Sequence, residues 1–192
     1  MTKIYRTPEE KFTNLPGFSY IPNYLEEIKG FNEIKEGLRI SYVDEGPKNS
    51  ELTFLLVHGY LTWSYMWRHF IKVLTENNQR AVAIDLPGFG RSDKPIDESL
   101  YTFSNLRNSL INTIERLDLK NVVLVVHDWG GFLGLTIPME MEERFEGIIL
   151  HNTVVTTGTQ IMSESYVDWR KYCIDNPDLN VRAVIALSLI HI

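Results

Sequence analysis

An acidic side chain follows directly on an apolar run in VVLVVHDWGGFLGL, residues 122–135. Asp128 comes after five aliphatic residues and a histidine, and Gly130 and Gly131 lie just beyond it. Burying an unpaired carboxylate costs roughly several kcal/mol, so a carboxylate here needs a partner, solvent or a function. The glycines let a helix begin close against the strand, and its free N–H groups favour a carboxylate. This pattern is typical of a nucleophile elbow with Asp128 as the nucleophile; the alternative is that Asp128 only caps the helix.

Two other loops carry residues able to do chemistry next to apolar runs. HGYLTW, residues 58–63, follows TFLLV, and DLPGFG, residues 85–90, overlaps the end of AVAID. In an open parallel sheet, ligands bind beyond the carboxyl ends of the strands. We therefore expect these two loops and HDWGG, residues 127–131, to converge on one site.

The elements that must position these loops alternate along the chain. Short strands without a polar face alternate with helical patterns, which predicts an α/β fold with a mostly parallel sheet and helices on both faces. The strands are predicted over residues 38–45, 53–57, 81–85, 122–126 and 147–152, and the helices over 64–76, 102–117 and 132–141. After Asn152 the pattern becomes polar loop and mixed helix. We therefore expect a first domain over residues 1–153 and the start of a second over 154–192.

The composition is that of a globular protein with one sizeable core, because 44% of the 192 residues are hydrophobic and 23% are charged. The net charge of −6, with a pI near 5.4, argues against nucleic acid or a polybasic membrane contact as a partner. The single Cys173 excludes an intrachain disulfide, and we expect neither a signal peptide nor a membrane span. These features predict a monomeric, cytoplasmic protein that acts on a small neutral or soluble substrate.

Three motifs carry a resemblance to a known family. HDWGGFLGL, HGYLTWSYMWR and DLPGFGRSDKP together resemble the haloalkane dehalogenase branch of the α/β-hydrolase superfamily, and the resemblance covers nearly the whole chain. It implies the α/β-hydrolase fold, incomplete here, with residues 154–192 as the beginning of a helical cap. It also implies a hydrolase in which Asp128 attacks a halogen-bearing carbon, forming a covalent alkyl-aspartate that water cleaves to an alcohol. The partners would be a small apolar halogenated substrate and water, with no cofactor and no metal.

The resemblance also implies roles for three aromatic residues. The indole N–H groups of Trp129 and Trp169 would bind the departing halide, unless Trp169 is an ordinary buried ring that joins the cap to the core. The backbone N–H groups of Tyr60 and Trp129 would form the oxyanion hole. The family usually has an acid or amide at Tyr60 and proline at Leu61. The Tyr60 hydroxyl therefore either replaces a halide contact or marks a different substrate.

The resemblance leaves the rest of the catalytic triad unassigned. Such a triad has the chain order nucleophile, acid, histidine, and Asn152 matches a subgroup whose acid lies further along the chain. Next to their strands, His58, His127 and His151 have structural interpretations, and no pair of histidines has the spacing of a metal site. His191 has no preceding strand to position it. We therefore expect a family member that is truncated at its C-terminus within the cap.

Two other functions stay open on the sequence. Epoxide hydrolases of the same superfamily also use an aspartate in an HDWGG-like elbow, and Tyr166 and Tyr172 could protonate the opening oxygen. Trp169 and the TWSYMWR motif favour the dehalogenase, while Leu61 in place of proline weakens both interpretations. The remaining possibility is a catalytically inactive fragment or binding module.

Overall fold

The computed structural model describes residues 2–154, 158–159, 161–176 and 178–180. The chain divides into two units, Met1–Val155 and Thr156–Ile192. The strands described in the first unit are β1 (Ile4–Tyr5), β2 (Asn23–Ile28), β3 (Leu38–Glu45), β4 (Thr53–Val57), β5 (Arg80–Ile84), β6 (Lys94–Pro95), β7 (Val122–His127) and β8 (Phe145–His151). Its α-helices are α1 (Arg68–Glu76), α2 (Phe103–Arg116) and α3 (Trp129–Gly134), and a 3-10 turn over Ser64–Trp67 precedes α1.

Six of the strands form one sheet in the order β2-β3-β5-β4-β7-β8. Three of its five neighbouring pairs, β5–β4, β4–β7 and β7–β8, are parallel, and the other two are antiparallel. β1 and β6 form a separate antiparallel pair. The predicted mostly parallel sheet is therefore confirmed. The parallel run brings the carboxyl ends of β5, β4, β7 and β8 to the same edge, which is where this class of sheet places ligands.

The central strands of the sheet are buried on both faces, because their alternate residues enter different apolar cores. One core combines Leu55, Val82 and Leu124 of the sheet with Leu110 and Ile114 of α2. The other combines Leu56, Ala83 and Val125 with Trp67 and with Ile71 of α1. Each fully buried leucine or isoleucine side chain contributes about 1.5–3 kcal/mol relative to its exposed state. The helices on both faces thus fix the sheet, and the sheet fixes the loops at its carboxyl edge.

The outcomes for two predicted helices differ. The helix predicted over residues 102–117 is confirmed as α2, and the Thr102 hydroxyl caps it by accepting the backbone N–H of Asn105 at 3.1 Å. The helix predicted over 132–141 is wrong in its bounds, since α3 spans Trp129–Gly134 and turns follow. Pro138 lacks a backbone N–H and disfavours a helical residue before it, so the apolar spacing could not carry the helix through to residue 141.

The second unit is described chiefly through α4 (Glu164–Asp175). The Ser163 hydroxyl caps this helix by accepting the backbone N–H of Tyr166 at 3.3 Å. The exposed rings of Trp169 and Tyr172 are stacked, with centroids 6.0 Å apart. Among the residues that the structure describes, no helix has the length and apolar character needed to cross a membrane. The interpretation of residues 154–192 as the start of a cap stays a prediction.

Candidate active site

Asp128 occupies a strained turn between β7 and α3. Its backbone has φ 50° and ψ −123°, a left-handed φ that residues other than glycine rarely adopt. Such a conformation costs about 1–3 kcal/mol and persists only where its surroundings hold it. Here the Asp128 carbonyl oxygen accepts the backbone N–H of Gly131 at 2.9 Å and the Thr153 hydroxyl at 2.8 Å. The turn is therefore fixed from both the helix side and the segment after β8.

The two glycines after the turn allow its close packing. A Cβ atom added to Gly130 would lie only 2.6 Å from the His58 carbonyl oxygen, and still closer to that of Val57. A Cβ atom on Gly131 would clash with the side chain of Thr153. The start of α3 therefore approaches the end of β4 more closely than any larger residue allows, as the sequence pattern predicts.

The Asp128 carboxylate faces the loop after β4. Its Oδ1 atom accepts the backbone N–H of Tyr60 at 2.8 Å, and Oδ2 has no hydrogen-bond partner within the described part of the chain. Although Asp128 directly precedes α3, its side chain makes no capping hydrogen bond to that helix. The alternative that Asp128 only caps the helix is therefore wrong. The carboxylate is half-buried, and within the described residues a hydrogen bond holds one of its two oxygens and not the other.

His58 fixes the loop after β4 rather than offering a base. This fully buried side chain accepts the backbone N–H of Leu86 at Nε2 (3.0 Å) and donates from Nδ1 to the Gly59 carbonyl (2.8 Å). A neutral imidazole with its proton on Nδ1 satisfies both bonds. Burial lowers the pKa of His58, against the opposing effect of the nearby Asp85 carboxylate. His58 therefore joins two of the three predicted loops as a neutral group.

The buried Asp85 side chain also connects these two loops. Its side chain is fully buried and accepts the backbone N–H groups of Ser64 at 2.8 Å and Arg91 at 2.9 Å. The Asp85 carbonyl oxygen also accepts the Ser92 hydroxyl at 2.6 Å. Because both carboxylate oxygens are used in this way, Asp85 holds the segments after HGYLTW and DLPGFG together and is not a free catalytic acid.

Aromatic side chains lie on both segments that form the elbow region, and those of Tyr60 and Trp129 are exposed. Tyr60 lies edge-on to Phe89 with ring centroids 5.8 Å apart, and Phe89 in turn lies edge-on to His58 at 5.3 Å. Trp129 is 44% exposed and its ring centroid is 5.3 Å from that of Phe132. The structure thus brings Tyr60, Asp128 and Trp129 together. Trp169, 46% exposed, lies on α4 in the other unit.

Two further histidines lie next to each other at the carboxyl edge of the sheet, and one of them directly precedes Asp128. His127 ends β7 and His151 ends β8; the two residues are paired in register, with ring centroids 5.3 Å apart. The signal was present in the sequence, since TFLLVH, VVLVVH and GIILH are apolar runs that each close in histidine. Asn152, directly after β8, has a left-handed φ of 44°.

Within the described ranges, no group of three or more histidine, cysteine, aspartate or glutamate residues could hold a metal ion. His191 lies outside the described residues, so the statement that no strand positions it stays a prediction.

Comparison with known proteins relates the chain to one family and to named relatives. The profile of the α/β-hydrolase fold family matches residues 53–182. A haloalkane dehalogenase of Psychrobacter cryohalolentis is 38% identical over 183 residues, which are 95% of this chain and 59% of that protein. A haloalkane dehalogenase of Mycolicibacterium paratuberculosis is 32% identical over 97% of this chain and 61% of that protein. The chain thus spans about 60% of the length of these curated relatives.

Solved structures give the same relationship. The tetrameric haloalkane dehalogenase DpaA from Paraglaciecola agarilytica NO2 is 51% identical, with a TM-score of 0.84 over 93% of this chain and 57% of that one. The epoxide hydrolase VrEH1 from Vigna radiata is 27% identical, with a TM-score of 0.57 over 67% of this chain and 37% of that one. These similarities confirm the resemblance to haloalkane dehalogenases that the three motifs carry.

Proposed function

Because this chain belongs to the α/β-hydrolase fold family, we propose that it carries the nucleophile of a hydrolase that cleaves carbon–halogen bonds of haloalkanes. The observation that carries the proposal is the Asp128 carboxylate, which is held at Oδ1 by the Tyr60 N–H and has no partner at Oδ2 among the described residues. A carboxylate nucleophile forms an alkyl ester, and its two steps replace one difficult displacement by water. The substrate class would be small, apolar halogenated alkanes.

The proposed first step is an in-line displacement. Oδ2 of Asp128 attacks the carbon, the carbon–halogen bond breaks, and the electron pair leaves with the halide. The indole N–H of Trp129, and that of Trp169 on α4, would donate to the halide as it departs. The proposal rests here on residue type and on the exposure of both rings, 44% and 46%. No cofactor or metal takes part in this step.

The proposed second step explains why Oδ1 is the oxygen that is held. Once Oδ2 carries the alkyl group, Oδ1 is the carbonyl oxygen of the ester, and water attack at the carbonyl carbon places negative charge on it. The Tyr60 N–H already points at this atom from 2.8 Å, and the Trp129 N–H would be the second donor. Donors of this kind act most strongly where charge develops in the transition state. Tyr60 and Trp129 are therefore the proposed oxyanion hole.

Ester hydrolysis also needs a base that activates water, and we do not place it among the described histidines. Both nitrogens of His58 are used by backbone groups, and Nδ1 of His127 is buried. His151 has no hydrogen-bonded carboxylate to orient it in the described part of the chain. We therefore propose roles for residues of this chain in ester formation, and assign no base for ester hydrolysis. Residues 154–192 are proposed to begin the cap of the site.

A mass-spectrometric experiment tests the nucleophile. After incubation with a bromoalkane, we expect one alkyl adduct on the peptide that contains Asp128, with equimolar release of bromide. Asp128→Asn should lose the adduct while keeping the fold, because the amide has the same shape and is a poor nucleophile. Asp118→Asn, an exposed carboxylate paired with Lys120 and Arg144, is the matched control and should react like the wild type. Adduct formation in Asp128→Asn would contradict the proposal.

The second candidate reaction uses the same carboxylate. The structural likeness to epoxide hydrolases from Vigna radiata favours ring opening by Asp128, with Tyr166 or Tyr172 of α4 as the proton donor to the oxygen. An epoxide would then leave a hydroxyalkyl adduct without releasing any halide. Parallel incubation with a bromoalkane and an epoxide of equal chain length separates the two reactions, because the adducts differ in mass by one oxygen.

A further inference from the structure

Three neighbouring parallel strands have a histidine at their carboxyl ends, because His58 directly follows β4 while His127 and His151 are the last residues of β7 and β8. Val57 of β4 pairs with Val126 of β7, so the next residues, His58 and His127, are neighbours across these strands. His127 pairs in turn with His151 of β8. We call His58, His127 and His151 the histidine row. It runs along the carboxyl edge of the sheet directly beside Asp128, and the reaction proposed above does not use it.

The members of the histidine row differ in their surroundings. His58 is fixed as a neutral group by two backbone hydrogen bonds. His151 is exposed to solvent and lies near Phe70, with ring centroids 6.3 Å apart. His127, between them, has a buried Nδ1 atom for which the described residues provide no hydrogen-bond partner. A buried polar atom without a partner costs about 1–3 kcal/mol, so this nitrogen needs an explanation.

The missing side chain at Gly59 places that nitrogen next to the nucleophile. A Cβ atom built on Gly59 would lie 2.9 Å from His127 Nδ1 and 2.6 Å from Asp128 Oδ1. The imidazole nitrogen and the carboxylate oxygen therefore face the same small space above Gly59, and no side chain of that residue separates them. Protonation at Nδ1 would put a cation beside the carboxylate in this half-buried space.

We propose that His127 is a positioning residue that controls the charge at Asp128: the neutral imidazole leaves the carboxylate free to attack, and the imidazolium pairs with it and restrains it. The kinetic part of this inference rests on the proposed nucleophile. Ester formation removes the negative charge from Asp128, and the halide carries that charge away. A protonated His127 would then remain without its counter-ion. Alkylation of Asp128 and protonation of His127, which takes a proton from water, must therefore oppose each other.

The charged groups around His127 agree with this opposition between alkylation of Asp128 and protonation of His127. Burial lowers the pKa of His127, the Asp128 carboxylate raises it, and His151 lowers it. On the β4 side His127 faces His58, and His58 in turn interacts with the nearby Asp85 carboxylate. Because burial holds the pKa of His127 below its ordinary value, we expect the restraint on Asp128 to act below neutral pH.

A titration of the histidine ring resonances tests the inference without any haloalkane. Asp128→Asn should lower the pKa of His127, because the Asp128 carboxylate favours the imidazolium and raises that pKa. In His151→Gln the pKa of His127 should rise instead, because the charge interaction with His151 lowers it. His69, exposed on α1, is the internal reference for the ring resonances. A His127 pKa that stays constant in both variants overturns the inference, whatever the enzyme's substrate is.

The kinetic arm measures alkylation of Asp128 by a bromoalkane between pH 5 and 7.5. We expect the wild-type rate to fall several-fold toward acid, and His127→Gln to flatten that fall. The control His151→Gln should keep an acid limb, moved to higher pH by the raised pKa of His127. An unchanged acid limb in His127→Gln contradicts the inference. If no variant is alkylated at all, the proposed function fails, while the titration still decides the role of His127.

Discussion

Gly59→Ala should damage the site while leaving the sheet intact. Gly59 has no left-handed backbone conformation, so alanine is not strained by its φ angle. Its Cβ atom would, however, lie 2.5 Å from Asp128 Cβ and 2.6 Å from Asp128 Oδ1. Non-bonded carbon atoms prefer about 3.5–4.0 Å, so the loop and the elbow must separate by roughly 1 Å. Overpacking of this kind costs about 1–3 kcal/mol in the free energy of unfolding.

The same displacement should reduce reactivity. It breaks or lengthens the 2.8 Å hydrogen bond from the Tyr60 N–H to Asp128 Oδ1. A misplacement of about 1 Å at a reacting group costs roughly 100-fold in rate. We expect alkylation of Asp128, followed by mass spectrometry, to slow by about that factor, and urea unfolding to show the loss of stability. Gly147→Ala in β8 is the matched control, because a Cβ atom there meets no atom within 4 Å. Alkylation of Asp128 at the wild-type rate in Gly59→Ala would refute the close contact on which this prediction depends.

Three further predictions concern the halide, acid stability and β8. Bromide or iodide should quench tryptophan fluorescence saturably, and unchanged quenching in Trp169→Phe would remove Trp169 from the proposed halide site. Burial opposes ionisation of Asp44, but hydrogen bonds from Arg80 and Lys48 outweigh it and lower its pKa. The stability that this carboxylate provides is present above its unfolded pKa of about 4 and is lost as the pH falls through the folded value. Between pH 5 and 2, the free energy of unfolding measured in urea should therefore fall less for Asp44→Asn than for the wild type. Equal losses in the two proteins would contradict this. On the edge strand β8, the side chains of Ile148, Ile149 and Leu150 are 43–55% exposed, so the chain should bind a hydrophobic dye. Ile149→Lys should reduce both dye binding and aggregation. Undiminished dye binding by that variant would contradict the role of this surface.

The parts of the fold that could be predicted are those in which local sequence and tertiary environment agree. The strand predicted over residues 53–57 is β4 residue for residue, because an apolar run there is bounded by polar and glycine residues. β2 gave no such signal, since a bulge between Leu25 and Ile28, with Glu27 at φ 60°, breaks its alternation. A pairing defect of this kind is set by the partner strand, so it could not be inferred from β2 alone.

The candidate site divides in the same way. The elbow at Asp128 was predictable because its glycines, its tryptophan and the preceding strand are contiguous. The hydrogen bond from Tyr60 was inferable only as a family property, and the orientation of the carboxylate away from α3 required the positions of both loops. The histidine row was missed because its members lie on separate strands. Only the register of β4, β7 and β8 brings them together.

The buried Asp85 carboxylate bears on how this protein could be redesigned. One side chain accepts backbone N–H groups from the segment after HGYLTW and from the segment after DLPGFG, so the two loops share a single anchor. Transplanting one loop from a relative would leave the anchor with one donor from a foreign backbone and one from the original. Libraries that aim to change substrate preference should therefore exchange residues 58–64 and 85–92 as one cassette, or vary only side chains such as Tyr60 and Phe89 that project from an unaltered main chain.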